Sequence, residues 1–352
     1  IMNMLAGEEH YTFFITVNKT LFNDPFQNIL SNLKGNILLI GDEMHNLGSS
    51  NYKKLLPENA KFRIGLSATP VRKGDEEGTE SLLEYFSDPV IKFGIQEAIE
   101  HGYLCKYYYY PILSPFTDEE MSEYIDLSVL IAQSFGRSNE NINDPNDYLK
   151  LLLFKRARLI GKAQMKITNL LSLLQDRKES THNLVYCGDY IEEDEKQIEK
   201  AVRLIGTEVK MKVNKFTSEE NSSDRKKLLD DFSKGDIQTL VAIRCLDEGV
   251  DVPKTESAYI LASSSSPRQF IQRRGRVLRL SPGKKFASIY DFITIPDFDR
   301  ISNNDQQAYN IERSLIKREI ERVNEFAGIA INQGESLKTL REIRKRYNLM
   351  DF

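Results

Sequence analysis

The sequence predicts an α/β protein made of two doubly wound parallel-sheet domains. Three observations carry that expectation. Short apolar runs bounded by turn residues fall into two separate series. Helical patterns alternate with those runs, which is how buried parallel strands are connected. Acidic, hydroxyl-bearing or glycine-containing turns follow several runs, at the carboxyl ends where open parallel sheets place ligand-binding groups. A chain of 352 residues has room for about two such domains.

The first series comprises 11–17 (Tyr-Thr-Phe-Phe-Ile-Thr-Val), 36–41 (Asn-Ile-Leu-Leu-Ile-Gly) and 62–67 (Phe-Arg-Ile-Gly-Leu-Ser). Residues 105–113, with four consecutive tyrosines, read as a strand that joins the second sheet. Tyrosines can stack on bases. Aromatics are also favoured in strands, and alternation would bury two of the four, which is the stronger reading. Helices over 117–135 and 147–175 flank a polar Asn/Asp loop and form a helical insertion between the sheets. The second series runs through 183–187, 209–216, 238–243, 257–262 and 287–292, with helices near 190–205, 219–234 and 267–280. After Pro296 the chain is helical and charged, with a basic cluster from Lys338 to Arg346 that reads as a solvated face. The expected divisions are 1–100, then 101–298 with an insertion at about 117–155, then a helical extension over 299–352.

Composition sets limits. Forty-eight Lys and Arg against 52 Asp and Glu give a net charge of −4, so a polyanion site must be a local patch. No apolar run approaches the roughly 18 residues needed to span a bilayer, and no membrane partner is expected. Cys105, Cys187 and Cys245 are odd in number and far apart, which fits a reduced, cytoplasmic setting and no zinc site. The sequence opens on Ile1 in mid-pattern, so an earlier part of the protein is expected.

Four segments carry chemistry. Asp42-Glu43-Met44-His45 follows the strand 36–41. Asp42 can hold magnesium, which prefers oxygen ligands, and Glu43 can orient and deprotonate an attacking water. Ser67-Ala68-Thr69 ends the next strand, where hydroxyls can bond neighbouring side chains. Asp247-Glu-Gly249-Val-Asp251 follows the strand 238–243; Gly249 permits close backbone approach and Asp251 can accept from a ribose hydroxyl. The run Gln269-Phe-Ile-Gln272-Arg273-Arg274-Gly275-Arg276-Val-Leu-Arg279 reads as a helix with Ser266 as N-cap and Pro267 at the first position. Helical spacing puts Gln269, Gln272, Arg273, Arg276 and Arg279 near one face, with Phe270, Ile271, Val277 and Leu278 turned toward a core. Guanidinium groups there would grip phosphoryl oxygens.

In this order the segments resemble the superfamily two (DEAD/DEAH-box) helicases and translocases, most closely the XPB-like and restriction-subunit branch. The marks are Ile64-Gly-Leu-Ser-Ala-Thr-Pro, Leu246-Asp-Glu-Gly-Val-Asp-Val-Pro, Arg268-Gln-Phe-Ile-Gln-Arg-Arg-Gly-Arg-Val-Leu-Arg and Asp224-Arg-Lys-Lys-Leu-Leu-Asp-Asp-Phe-Ser-Lys-Gly. The resemblance covers about residues 11–296. It implies two RecA-like domains, the first incomplete, that bind ATP and Mg2+ between them. It also implies roles. Asp42 and Glu43 would be the metal-facing acid pair, with His45, Ser67 and Thr69 coupling that pair to the rest of the domain. Gln272 would sense the γ-phosphate, Arg276 and Arg279 would serve as arginine fingers, and Arg273, Gly249 and Asp251 would touch the nucleotide. Thr16, Asn18 and Lys19, with Tyr186, Gly188, Thr217-Ser218 and Arg244, would contact nucleic-acid backbone phosphates, with little sequence information.

The sequence departs from that pattern in two ways. Met44 stands where the family has a small residue or cysteine. No GxxxxGK(S/T) phosphate loop occurs; Gly283-Lys284 lacks the preceding loop and Gly161-Lys162 falls within a helical pattern. In the family that loop lies ahead of Asp42, so these residues alone should bind and hydrolyse ATP poorly. The expected function is ATP-dependent translocation on DNA, with RNA a further candidate, in restriction or phage defence beside nuclease or other defence subunits. Competing readings are a DNA-repair helicase and a catalytically silent nucleic-acid- or protein-binding module on the same scaffold. No G-x-G-x-x-G follows a strand, which argues against an unrelated dinucleotide enzyme.

Overall fold

The computed structural model describes residues 12–72, 75–137, 147–192, 195–217, 219–243, 252, 254–262, 267–297 and 306–351. They fall into two compact units, Ile1–Lys92 and Phe93–Phe352.

The first unit contains α1 (Asn18–Leu21), α2 (Asp24–Asn32), β1 (Leu38–Gly41), β2 (Phe62–Gly65) and α3 (Glu76–Phe86). Asn23 caps α2 by accepting from Phe26 N at 2.8 Å, with Pro25 in the first turn. Strands β1 and β2 pair in parallel, Leu38 opposite Phe62 and Gly41 opposite Gly65. A small core of Leu21, Phe22, Leu30, Met44, Leu47, Leu56 and Leu82 covers one side of them. On the strands themselves Leu38, Ile40, Phe62 and Ile64 stay about half exposed. The strand expected over 11–17 does not form: residues 12–17 have no strand pairing, and Phe13, Ile15 and Val17 are exposed. An apolar run becomes a strand only when a neighbour takes up its backbone groups.

The second unit holds α4 (Ile95–Glu100), β3 (Lys106–Pro115), α5 (Asp118–Arg137), α6 (Asp147–Lys162), α7 (Gln164–Gln175), β4 (Asn183–Tyr186), β5 (Ile191–Glu192), β6 (Glu195–Lys196) and α8 (Gln197–Leu204). It continues through β7 (Val213–Phe216), α9 (Ser222–Lys234), β8 (Thr239–Ala242), β9 (Ser257–Ile260), α10 (Pro267–Val277), β10 (Phe286–Ile295), α11 (Gln306–Ala327), α12 (Gln333–Lys338) and α13 (Arg341–Arg346). Six strands make one sheet in the order β3-β10-β9-β4-β8-β7, every pair parallel. This is the doubly wound architecture expected from the alternating pattern. Strand β3 does join this sheet, and its alternation buries Tyr107 and Tyr109 while Tyr108 and Tyr110 are only half covered.

Both faces are packed. One carries Leu170, Ile198, Ile205 and Phe292; the other carries Phe232, Ile289, Ile316 and Phe326. The C-terminal helices belong to that second layer. Asp291 on β10 pairs with Arg322 on α11 at 3.0 Å, Arg322 reaches Glu319 at 2.6 Å, and Tyr109 donates to Asp291 at 2.9 Å.

Three expectations are corrected. The helix 147–175 breaks at Ala163 into α6 and α7. The helix 190–205 begins only at Gln197, because Ile191–Glu192 and Glu195–Lys196 pair antiparallel as β5 and β6. Helix α10 ends at Val277, where Cys105 N takes Leu278 O at 2.8 Å and Leu104 bridges Arg279. Among the described residues no helix is long and apolar enough to cross a membrane.

Candidate active site

In the first unit the chemistry sits where β1 and β2 end side by side. Glycine at both ends leaves room for the side chains packed there. A Cβ on Gly65 would meet Met44 Sδ at 2.3 Å, and one on Gly41 would meet Leu47 Cδ1 at 2.9 Å. Bare backbone therefore lets the turn after Asp42-Glu43 fold across the strand ends. This also accounts for Met44: Gly65 leaves the room its thioether fills. Backbone bonds join the two turns, Leu66 N to Gly41 O and Met44 N to Leu66 O, each at 2.9 Å.

Glu43 adopts φ 47° and ψ 49°, the left-handed region. That costs a residue with a Cβ about 1 kcal/mol or more. Glu43 Oε2 lies 3.2 Å from Nδ1 of buried His45, and the same Nδ1 lies 3.1 Å from Ser67 Oγ. Ser67 Oγ also accepts from Thr69 N at 3.1 Å. A proton on Nδ1 is shared between carboxylate and hydroxyl; without it, Ser67 O–H donates to the ring. These contacts join the turn after β1 to the segment after β2. Arg72 closes the turn, donating to His45 O and to Asp75 Oδ2 at 2.7 Å. The Arg72 bond, then the one from Gly78 N, hold the Asp75 carboxyl below its usual range while Asp75 caps α3.

Asp42 is exposed, and its Oδ1 accepts from Glu43 N at 3.0 Å. A hard oxygen donor at a strand end suits magnesium, which keeps most of its waters. Among the described residues no three His, Cys, Asp or Glu side chains gather around one point. Thr16 and Lys19 are exposed, and Asn18 is half-buried at the start of α1.

In the second unit α10 follows β9 in the chain. Gln272 and Arg276 are half-exposed, one turn apart on one face, and Arg279 is exposed just beyond the helix. Arg273 is not on that face. It is buried, donates to Ala262 O at 2.7 Å and stacks 5.0 Å over the Tyr186 ring, so it anchors the helix where a nucleotide contact was expected. Arg274 points into the protein as well. Its guanidinium bonds Glu325 Oε1 at 2.7 Å and Glu325 O at 2.9 Å, 5.0 Å from the Phe326 ring.

The expected backbone-contact residues of this unit are structural in their side chains. Tyr186 lies under Arg273 in the core. Gly188 donates to Gln197 Oε1 at 2.9 Å, and a Cβ there would strike the Tyr190 ring at 1.9 Å. Thr217 is buried, with its N and Oγ1 both bonded to the Glu220 carboxylate. Arg244, Gly249, Asp251 and Ser218 lie outside the described residues, as does the expected N-cap Ser266.

Sequence reasoning missed four groups: Arg72, the Arg274–Glu325 pair, and Lys166. Lys166 is buried, donates to Leu261 O at 2.9 Å, and burial brings its pKa down to about 8. Arg274 carried a signal, since a fourth arginine in a helix that needs an apolar face must bury a charge. Glu325 and Lys166 carried none, because their partners are distant in sequence.

An acid pair and hydroxyl relay at one pair of parallel strands, followed by an arginine-bearing helix off a second parallel sheet, define a RecA-like helicase scaffold. Comparison with known proteins agrees. Residues 4–72 match the family described as type III restriction enzyme, res subunit, and residues 165–281 match the helicase conserved C-terminal domain. The DNA 3'-5' translocase XPB2 of Sulfurisphaera tokodaii is 29% identical over 258 residues, covering 69% of this chain and 55% of that protein. Among solved structures, the Hef helicase domain of Pyrococcus furiosus is 16% identical with a TM-score of 0.44, covering 80% of this chain and 76% of that one. The ATP-dependent Type ISP restriction-modification enzyme LlaBIII bound to DNA is 17% identical with a TM-score of 0.49, covering 88% of this chain and 22% of that one. The chain belongs to the superfamily two helicases, of XPB-like and restriction-subunit type. It spans about half the length of XPB2.

Proposed function

We propose that the full protein is an ATP-driven DNA translocase or helicase that takes part in restriction or phage defence in the cytoplasm. The observation that carries the reading is the Glu43–His45–Ser67 connection, at 3.2 and 3.1 Å. It couples a candidate catalytic base to the strand beside it, which a motor needs and a surface turn does not. Magnesium and ATP would supply the phosphoryl group and the charge that neutralises it. Asp42 holds the metal's side of the site. Glu43 orients water and takes its proton, and His45 and Ser67 register the change. Gln272, Arg276 and Arg279 are the residues of the second unit suited to bind developing phosphoryl charge. Gly249 and Asp251 remain proposed ribose contacts, and Thr16, Asn18, Lys19, Arg244 and the backbone near Gly188 and Thr217 proposed phosphate contacts.

The phosphate loop is assigned to chain ahead of Asp42. The half-exposed apolar residues of β1 and β2 support this, since Leu38, Ile40, Phe62 and Ile64 need a cover. The res-subunit match over 4–72 favours a restriction role, with nuclease or other defence subunits as partners. The XPB2 match favours DNA over RNA as the track. The silent-module reading keeps one observation in its favour, the missing GxxxxGK(S/T).

The test is ATP hydrolysis by the full protein with single-stranded DNA, duplex DNA and RNA. Glu43→Gln and Arg276→Ala should each lower stimulated turnover by about a hundredfold or more while leaving the fold intact. Near-normal turnover in either variant overturns the assigned roles.

A further inference from the structure

We infer that the C-terminal helix α11 is the strut that aims the arginine-bearing helix α10, and that Arg274 and Glu325 are positioning residues for phosphoryl transfer. The inference rests on the function proposed above and adds a part to its site that the motif residues do not include.

At about 100° per residue, Arg273, Val277 and Arg274 share one arc of α10, and Gln272, Gly275 and Arg276 share the other. Burial follows the same division: the first three are buried and the second three are half-exposed. The two buried arginines hold the helix to different elements. Arg273 bonds Ala262 O, just past β9, at 2.7 Å. Arg274 bonds the side chain and the backbone of Glu325 near the end of α11, at 2.7 and 2.9 Å.

That end of α11 is itself fixed. Tyr107 on β3 donates to Phe326 O at 2.5 Å, and Phe326 stacks on Tyr109 with centroids 5.2 Å apart. Further back, Arg322 is bonded to Asp291 on β10. A path of contacts therefore runs from two strands of the sheet through α11 to Arg274, whose Nη1 also lies 3.5 Å from Tyr107 Oη on β3. Two anchors of different origin fix the rotation of α10 about its own axis, which one anchor cannot. Rotation is what decides where Gln272 and Arg276 aim, and a misplacement of about 1 Å at a phosphoryl-transfer site costs on the order of a hundredfold in rate.

Glu325 is the place to test this. Its side chain is 55% exposed, while that of Arg274 is 4% exposed. Glu325→Ala leaves Arg274 its bond to the Glu325 carbonyl, so the fold should persist. In the full protein this variant should lower the kcat of nucleic-acid-stimulated ATP hydrolysis about tenfold, with KM for ATP moving less than about twofold. Glu325→Gln keeps an acceptor at the same reach and should recover most of the loss. Amide hydrogen exchange supplies a readout independent of turnover: Glu325→Ala should speed exchange in 267–277 and leave 222–234 unchanged.

A kcat within twofold of wild type, or a loss that merely tracks the folded fraction, overturns the positioning role. Should wild-type protein hydrolyse no ATP with any nucleic acid, the proposed function fails and exchange alone decides the strut. Unaltered exchange in 267–277 would then sink it.

Discussion

The two parallel sheets formed by the described residues are built from similar sequence and reach opposite degrees of cover. Strands β4 and β8 are buried at every residue. Strands β1 and β2, just as apolar, leave Leu38 at 52% and Phe62 at 51% exposure. A near-continuous apolar run signals a strand packed on both faces. In the second unit helices α7 and α8 lie on one face and α9 and α11 on the other. In the first, the described residues supply one small core. The difference shows that strand composition reports the cover a sheet requires, while the packed helices determine the cover it has.

The sharpest way to break this comparison is to express the units separately. Residues 93–352 should unfold in a single cooperative thermal transition followed by circular dichroism. Residues 1–92 should show none, since so small a core cannot offset the entropy of ordering the chain. A cooperative transition in the shorter piece would mean its apolar face needs no partner.

Next in size, Phe292→Ala in the six-stranded sheet should cost about 3–5 kcal/mol by urea denaturation, because it empties a fully buried site. The third effect is electrostatic and belongs only to the covered sheet. Lys166 has a folded pKa of about 8 against an ordinary 10.5, first because of burial. Between those values the unfolded chain binds more protons, so stability gains from Lys166 as pH rises from about 8 toward 10.5, by about 1.4 kcal/mol per unit. Below about 8 the full cost of the buried ammonium is present. The gain should appear as a pH-dependent difference between wild type and Lys166→Met, and a flat difference would refute the placement. Smallest is Phe62→Ala in the half-covered sheet, which should cost about 1 kcal/mol or less in this chain. A cost equal to that of Phe292→Ala would erase the contrast between the sheets.

Much of the scaffold was legible in the sequence. The strand–helix alternation gave β4 and β7–β10 near their expected places, and β3 was expected in the second sheet from its aromatic alternation. Asp42, Glu43, His45 and Ser67 were expected together, and the structure brings the last three into contact. What stayed hidden were facts of packing. Helical periodicity put Arg273 with Gln272 and Arg276, yet a carbonyl past β9 and a tyrosine ring draw it inward. Tyr186 and Thr217 were expected as backbone-phosphate contacts from the family resemblance. Tyr186 is buried beneath Arg273, whose proximity no local pattern encodes, whereas Thr217 is held by Glu220 three residues on, a Thr-x-x-Glu spacing that the sequence does carry. The 12–17 run failed as a strand because composition cannot supply a neighbour.

The twist at Glu43 has a consequence for anyone engineering this protein. Glycine tolerates that backbone without penalty, so Glu43→Gly would relieve the turn even as it deletes the carboxylate beside His45. Screening for heat resistance would reward this change and return sturdy, inert protein. Under the proposed role of Glu43, the strained backbone is the cost of keeping a carboxylate beside His45.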